Sequence, residues 1–266
     1  MGSSGISNSD SPPAEIRVRE AVSADAPEIV RIIRSGFPES LLPLVLYDCH
    51  GMPRDVADRI GERGEYRYWV AERAGKLAGA ASFRYFEDRL FLNQIAVDSA
   101  HRAMGVGGDL LRWGGAAAEH RYSAFSLDVF EQNSVAMAWY KKLGFEIEYA
   151  RHWFDIELPV SSEPAAKILN WPQSEQMHLR YGFSSLDVES SRGRYSVGKL
   201  GDHWFRVTQP SLLEDPEALA CLSQLDPARR LLLLSDGHSS PAGGTRVAQS
   251  FRMTVAKDTL MSSLRK

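Results

Sequence analysis

The sequence is poor in the features that would place it quickly. Its 266 residues hold only two cysteines, Cys49 and Cys221, far apart in the chain. Two thiols cannot staple a scaffold, so the fold must rest on an apolar core, and such usage suits a reducing, cytoplasmic setting. No apolar run is long enough for a membrane. The longest, Leu41 to Tyr47, contains Pro43, whereas a spanning helix needs about 20 residues. The seven histidines do not cluster, and no His-x-x-His or Cys-x-x-Cys pair occurs, so no metal site is expected. No Gly-x-Ser-x-Gly elbow supports a serine hydrolase. Positive charge is not in excess: 31 Lys and Arg face 34 Asp and Glu, for a net charge of −3. Nucleic-acid binding, which rests on basic surfaces, is therefore not expected. No short internal repeat is visible. The opening residues lack the basic start and apolar stretch of a signal peptide. They read as a flexible tail over residues 1–15.

What remains is an ordinary globular composition, 44% hydrophobic and 24% charged. The length suits one large domain or two smaller ones. Ile16 to Arg19 alternates as a strand should. Ala26, Ile29, Val30 and Ile33 then mark one face of a helix, with Ser23 as its expected cap, and a second helix is expected over 53–63. Strands are predicted at 66–73, 77–86 and 90–97. Glycine-rich residues lead into a helical pattern through Leu110, Leu111, Gly114 and Ala117. A strand at 125–130 precedes a helix carrying Ala136, Trp139, Tyr140 and Leu143, closed by Gly144. Two further strands are predicted at 145–149 and 153–158. Residues 159–176, rich in Pro, Ser, Glu and Ala, read as a linker. Beyond it, 177–266 read as a smaller α+β unit with short strands, a helix opening at Asp215-Pro216 and a last strand over 251–255.

The chemical signal is the stretch from Arg102 to Leu111, which follows a strand and opens a helix. Glycines let the backbone approach a ligand closely, and the free amides and dipole of a helix N-terminus favour an anion. Strand, glycine turn and helix together make a diphosphate cradle. It is not a P-loop, because Gly107 is followed by Gly108-Asp109 and not by Lys-Ser/Thr. It is not a dinucleotide fingerprint, because Leu110 stands where a third glycine belongs.

Arg-x-x-Gly-x-Gly after a strand ending Ile95-Ala96-Val97 resembles the acetyl-CoA motif of the GNAT superfamily of N-acetyltransferases. The resemblance continues through Asp128-Val129, Asn133, Ala136 and Tyr140 to Phe145, and covers residues 16–158. It implies an α/β (α+β) fold with a central mixed, mostly antiparallel sheet flanked by helices. It further implies that acetyl-CoA is the co-substrate. The main chain of Ile95, Ala96 and Val97 would meet the pantetheine arm. The amides of Met104, Gly105, Val106, Gly107 and Gly108 would take the pyrophosphate beside Arg102. Asn133, the expected cap of its helix, would also touch the cofactor.

In this family an amine attacks the thioester directly, so Tyr140 becomes the expected acid for the leaving thiolate. The strand positions where many relatives carry a glutamate hold Asn93 and Gln94, which leaves Asp128 or water as base. An amine-bearing small molecule or peptide is the expected acceptor. Phe37, Phe83, Tyr85 and Trp153 are candidates to line its pocket. The rival reading is a module that binds acyl-CoA without turnover, and the missing strand glutamate favours it. The second segment loosely suggests a degenerate half of the same fold, and it could shape the acceptor site or a homodimer interface.

Overall fold

The computed structural model describes residues 15–62, 64–117, 122–160, 166–237 and 241–265. The tail expected over 1–15 lies, but for its last residue, outside them. The chain opens with β1 (Arg17–Glu20), a short 3-10 turn and α1 (Ala26–Arg34). Ser23 does not cap α1: its hydroxyl donates to the Ala57 carbonyl at 3.0 Å. Asp25 instead accepts from the Val22 amide at 2.8 Å and closes the turn before the helix. A connection over 35–51 leads to α2 (Met52–Glu62). The first half continues through β2 (Tyr66–Arg73), β3 (Lys76–Tyr85), β4 (Arg89–Val97), α3 (Val106–Ala116), β5 (Ala124–Phe130), α4 (Ser134–Lys142) and β6 (Glu146–Ile156).

Where two strands were predicted between 145 and 158 there is one, β6. Its weak middle, Ala150 to His152, is held straight by backbone partners in a neighbouring strand. The second half comprises β7 (Lys167–Ile168), α5 (Gln173–Tyr181), β8 (Phe183–Glu189), β9 (Arg194–Leu200), β10 (Trp204–Val207), α6 (Pro216–Leu225), β11 (Arg230–Ser235), β12 (Gly244–Ala256) and α7 (Lys257–Ser263). The stretch read as a linker, 159–176, therefore contains β7 and the start of α5.

Among the described residues the strands form one twelve-stranded sheet, in the order β1-β2-β3-β4-β5-β12-β6-β11-β10-β9-β8-β7. Two of its pairs are parallel, β4 with β5 and β10 with β11. Each is joined through a helix, α3 or α6. The antiparallel pair β12–β6 lies at the centre. Around it the two halves exchange their last strands: β12 lies beside β5 and β6 beside β11. The C-terminal segment, expected as an appended unit, is thus woven into the first.

Packing follows from this order. One apolar cluster joins β2–β5 and β12 to α3, α4 and α7 on one face, with Phe83, Leu110, Leu111, Phe125 and Leu260 fully buried. A second joins α1 and α2 to the other face of β2 and β3. A third holds α6 against β8–β11. A fourth crosses between the halves, where Leu41 and Leu44 of the α1–α2 connection meet Trp153, Leu232, Leu234 and Ala248. Each buried leucine there contributes about 1.5–3 kcal/mol, so the two halves are fastened and not hinged. Helix α3 comes close to its neighbours through glycine. A Cβ on Gly114 would stand 2.2 Å from the Phe83 ring, and one on Gly115 would stand 2.3 Å from Met261 of α7.

Candidate active site

β4 and β5 pair only from Arg89 with Ala124 to Leu92 with Leu127. Beyond that point they part. The cause lies on the other edge of β4, where the register with β3 shifts between Ser82 and Phe83 and leaves Asn93 as an extra residue. A bulge of this kind bends its strand. The edge of β4 from Asn93 to Val97 consequently borders a V-shaped opening. Ile95 and Val97 pack toward α3, and Ala96 packs toward α1.

The glycine turn stands at the top of this opening. Ala103 has φ +61° and Gly105 has φ +83°. The left-handed backbone costs an alanine about 1–2 kcal/mol, strain of the kind that collects at functional sites. Gly105 caps α3 without a side chain. The first internal bond of the helix runs from the Asp109 amide to the Gly105 carbonyl at 3.0 Å. The amides of Val106, Gly107 and Gly108 precede that bond, and no described residue accepts from them. A Cβ on Gly105 would meet nothing within 4 Å, whereas one on Gly107 would stand 3.2 Å from the Trp139 ring of α4. Gly105 therefore leaves space for a ligand, and Gly107 lets the two helices close. The exposed Arg102 reaches back to the Val97 carbonyl at 3.4 Å. The Met104 sulfur lies 2.8 Å from an Arg73 nitrogen. Asp109, in the first turn of α3, is held by Arg112 at 2.7 Å.

On the same face, α4 begins where the sequence predicts. The Asn133 side chain accepts from the Ala136 amide at 3.1 Å. One face of α4 brings Tyr140 into the core beside Phe145, with ring centroids 5.5 Å apart. Tyr140 is only 6% exposed, and burial pushes its phenol well above the usual range. Its hydroxyl has no hydrogen-bond partner among the described residues, yet it is not one of the sealed polar atoms. The phenol therefore keeps its proton at neutral pH.

Asp128 is the first residue of β5 beyond the last pair with β4, and it stands on the other face of the sheet. Phe125, Leu127 and Val129 pack with Tyr140. Phe130, in phase with Asp128, instead meets Phe37 of the α1–α2 connection at 6.4 Å and Trp153 at 5.0 Å. Both Asp128 oxygens accept from Arg252 of β12, at 2.6 and 3.0 Å. Arg252 had no sequence signal, since it lies 124 residues away.

Of the aromatic residues expected to line a pocket, Phe37 and Trp153 do face this side. Phe83 does not: it is fully buried under α3. Tyr85 points to the far end of α3, where its hydroxyl reaches the Gly114 carbonyl at 3.3 Å. Among the described residues no cluster of His, Cys, Asp and Glu could hold a metal ion, and no helix is long and apolar enough to cross a membrane.

The second parallel unit also ends in a helix N-terminus, but a different one. Asp215 is fully buried. It caps α6 by accepting from the Ala218 amide at 3.0 Å, and it also accepts from the Tyr195 hydroxyl at 2.9 Å and from Ser190. Burial pushes this carboxyl up, but the bonds from Ser190, Ala218 and Tyr195 outweigh it and hold it below the usual range. Pro216 removes a further donor. The place an external anion could take is filled by the chain's own carboxylate.

Residues 28–145 match the family model described as Acetyltransferase (GNAT) family. No curated protein matches the sequence. The fold is similar to that of a solved tandem GNAT protein from the clavulanic acid biosynthesis pathway. That match has 15% identity and a TM-score of 0.66, and covers 91% of this chain and 99% of that one. It is also similar to a GCN5-related N-acetyltransferase from Sphaerobacter thermophilus, with 15% identity, a TM-score of 0.61 and coverage of 91% and 96%. At these identities the likeness is one of fold.

Proposed function

Because residues 28–145 match the GNAT acetyltransferase family model, we propose that the protein transfers an acetyl group from acetyl-CoA to a primary amine. The observation that carries this reading is the open N-terminus of α3, with free amides, an uncapped glycine and empty space before it, beside strands that part. Those features fit a diphosphate-bearing thioester, and acetyl-CoA supplies the activated acetyl group. The amides of Val106 to Gly108 hold the pyrophosphate with Arg102 beside it. The bare edge of β4 at Ile95, Ala96 and Val97 receives the pantetheine amides.

The amine attacks the thioester carbonyl from the Phe37 and Phe130 side, so a C–N bond forms as the C–S bond breaks. Tyr140, kept protonated by burial, gives its proton to the departing thiolate. The ammonium proton leaves through water. Asp128, with both oxygens engaged by Arg252, is poorly placed as a free base. The acceptor is a small molecule or a peptide with a primary amine. The absence of a strand carboxylate at Asn93 and Gln94 favours the silent acyl-CoA-binding module, and the presence of Tyr140 favours the enzyme.

Acetyl-CoA at a hundred times its Kd should stabilise the protein by about 2.7 kcal/mol, a Tm rise of about 5–10 °C for a chain of this size. Gly105→Glu should abolish the rise by filling the cradle with a like charge. No shift with the wild type would sink the cofactor reading. Thiol release across a panel of amines separates enzyme from silent module: a shift without release selects the module.

A further inference from the structure

The second half contributes to the opening between β4 and β5 a residue that the family motifs do not contain. β12 pairs with β5 so that Arg252 stands opposite Asp128. The Arg252 guanidinium grips both carboxylate oxygens, with Nε on Oδ1 at 2.6 Å and Nη2 on Oδ2 at 3.0 Å. It lies over the Phe91 ring of β4 at 4.9 Å and the Tyr149 ring of β6 at 5.4 Å. Three strands therefore fix its place.

The pair is oriented. The Arg252 side chain is 18% exposed and that of Asp128 is 39% exposed. The cation is the buried end and the carboxylate the open end. The neighbouring charges have partners of their own: Glu148 accepts from Thr254 at 2.8 Å, and Arg151 pairs with Asp236 at 2.8 Å. A carboxylate has about four lone-pair sites, and the fork uses two of them. The other two remain for a donor arriving from solvent. A carboxylate held in such a fork can still receive a charge-assisted hydrogen bond from a cation.

We propose that Arg252 is a positioning residue, which pins Asp128 at the mouth of the opening with its carboxylate outward, so that the acceptor is recognised as its ammonium ion. The acceptor class is then a primary amine that is charged at neutral pH, and the C-terminal half takes part in choosing it. This rests on the acetyltransfer reading above.

The test uses the full chain, acetyl-CoA and two probe amines, with thiol release as readout. Putrescine is cationic at neutral pH, whereas O-methylhydroxylamine is a shorter amine that is uncharged there. Asp128→Asn and Arg252→Met should each raise KM for putrescine about ten- to hundredfold, the loss of one charge-assisted contact. They should leave KM for acetyl-CoA unchanged and impair O-methylhydroxylamine far less than putrescine. Arg252→Lys, which keeps the charge but not the fork, should recover part of the loss. The double variant should be no worse than the worse single one.

Equal losses with both amines would show a merely structural role and overturn the proposal. So would an unchanged KM for putrescine, or no release with either amine while acetyl-CoA still raises Tm. If acetyl-CoA gives no rise in Tm, the acetyltransfer reading itself fails, and the proposal falls with it.

Discussion

Replacing Asp215 tests whether the α6 terminus is closed by design. The carboxylate is fully buried and meets three donors, the Ala218 amide, the Tyr195 hydroxyl and Ser190. Asp215→Ala removes a helix cap, worth about 1 kcal/mol. It also leaves buried hydroxyls without an acceptor, at a further 1–3 kcal/mol, roughly. The expected loss is about 3 kcal/mol, a large part of a typical stability of about 5–15 kcal/mol. By calorimetry this lowers Tm by about 6–12 °C. Asp215→Asn keeps an oxygen for the Ala218 amide and should cost about 1 kcal/mol.

The pH dependence follows from the depressed carboxyl. Its contribution is complete above its unfolded pKa of about 3.9 and is lost as pH falls through the lower folded value. The gap between wild type and Asp215→Asn should therefore close on acidification. An alanine variant within about 0.5 kcal/mol of wild type, the usual range for a surface change, would refute the argument. The same closure predicts one acetyl-CoA per chain by calorimetric titration, and a stoichiometry of two would contradict it.

Two further outcomes are expected. Tyr140→Phe should lower kcat about a hundredfold, within the usual range for general acid catalysis, and leave KM for acetyl-CoA unchanged. Undiminished turnover would remove Tyr140 from the mechanism. His178, pulled down to about 4 by burial and by the charges of Lys199 and Arg229, stays neutral in the folded protein while the unfolded chain takes up a proton near the ordinary 6.5. Stability should fall as pH drops from 6.5 toward 4, and His178→Gln should flatten that slope in urea unfolding at pH 7 and 5; an unaltered slope would assign it elsewhere.

Local signals carried most of the first half. The helix pattern through Tyr140, the Asn133 cap and the strand–turn–helix at Gly105 are all written within a few residues of where they act. What escaped the sequence depends on pairing across distance. The strand over 251–255 is legible from its apolar residues, but nothing in them says that it lies between β5 and β6. Arg252 is therefore invisible as the partner of Asp128. The same omission splits β6 in two, because its middle is ordered by neighbours and not by its own residues. Phe83 was misplaced for a related reason: alternation gives a strand two faces, and only the packing of α3 through Gly114 shows which face is buried.

The exchange of last strands also sets an order of events in synthesis. β5 is complete at Phe130, yet one edge of it stays bare until Gly244–Ala256 has been made. A bare edge invites pairing with other chains, and contacts this distant in sequence slow folding. The nascent chain must carry the unfinished sheet for more than a hundred residues, and the pairing of Arg252 with Asp128 comes among its last steps. A chain broken off early would carry every residue of the glycine turn and of α4 and still lack the strand that completes its sheet.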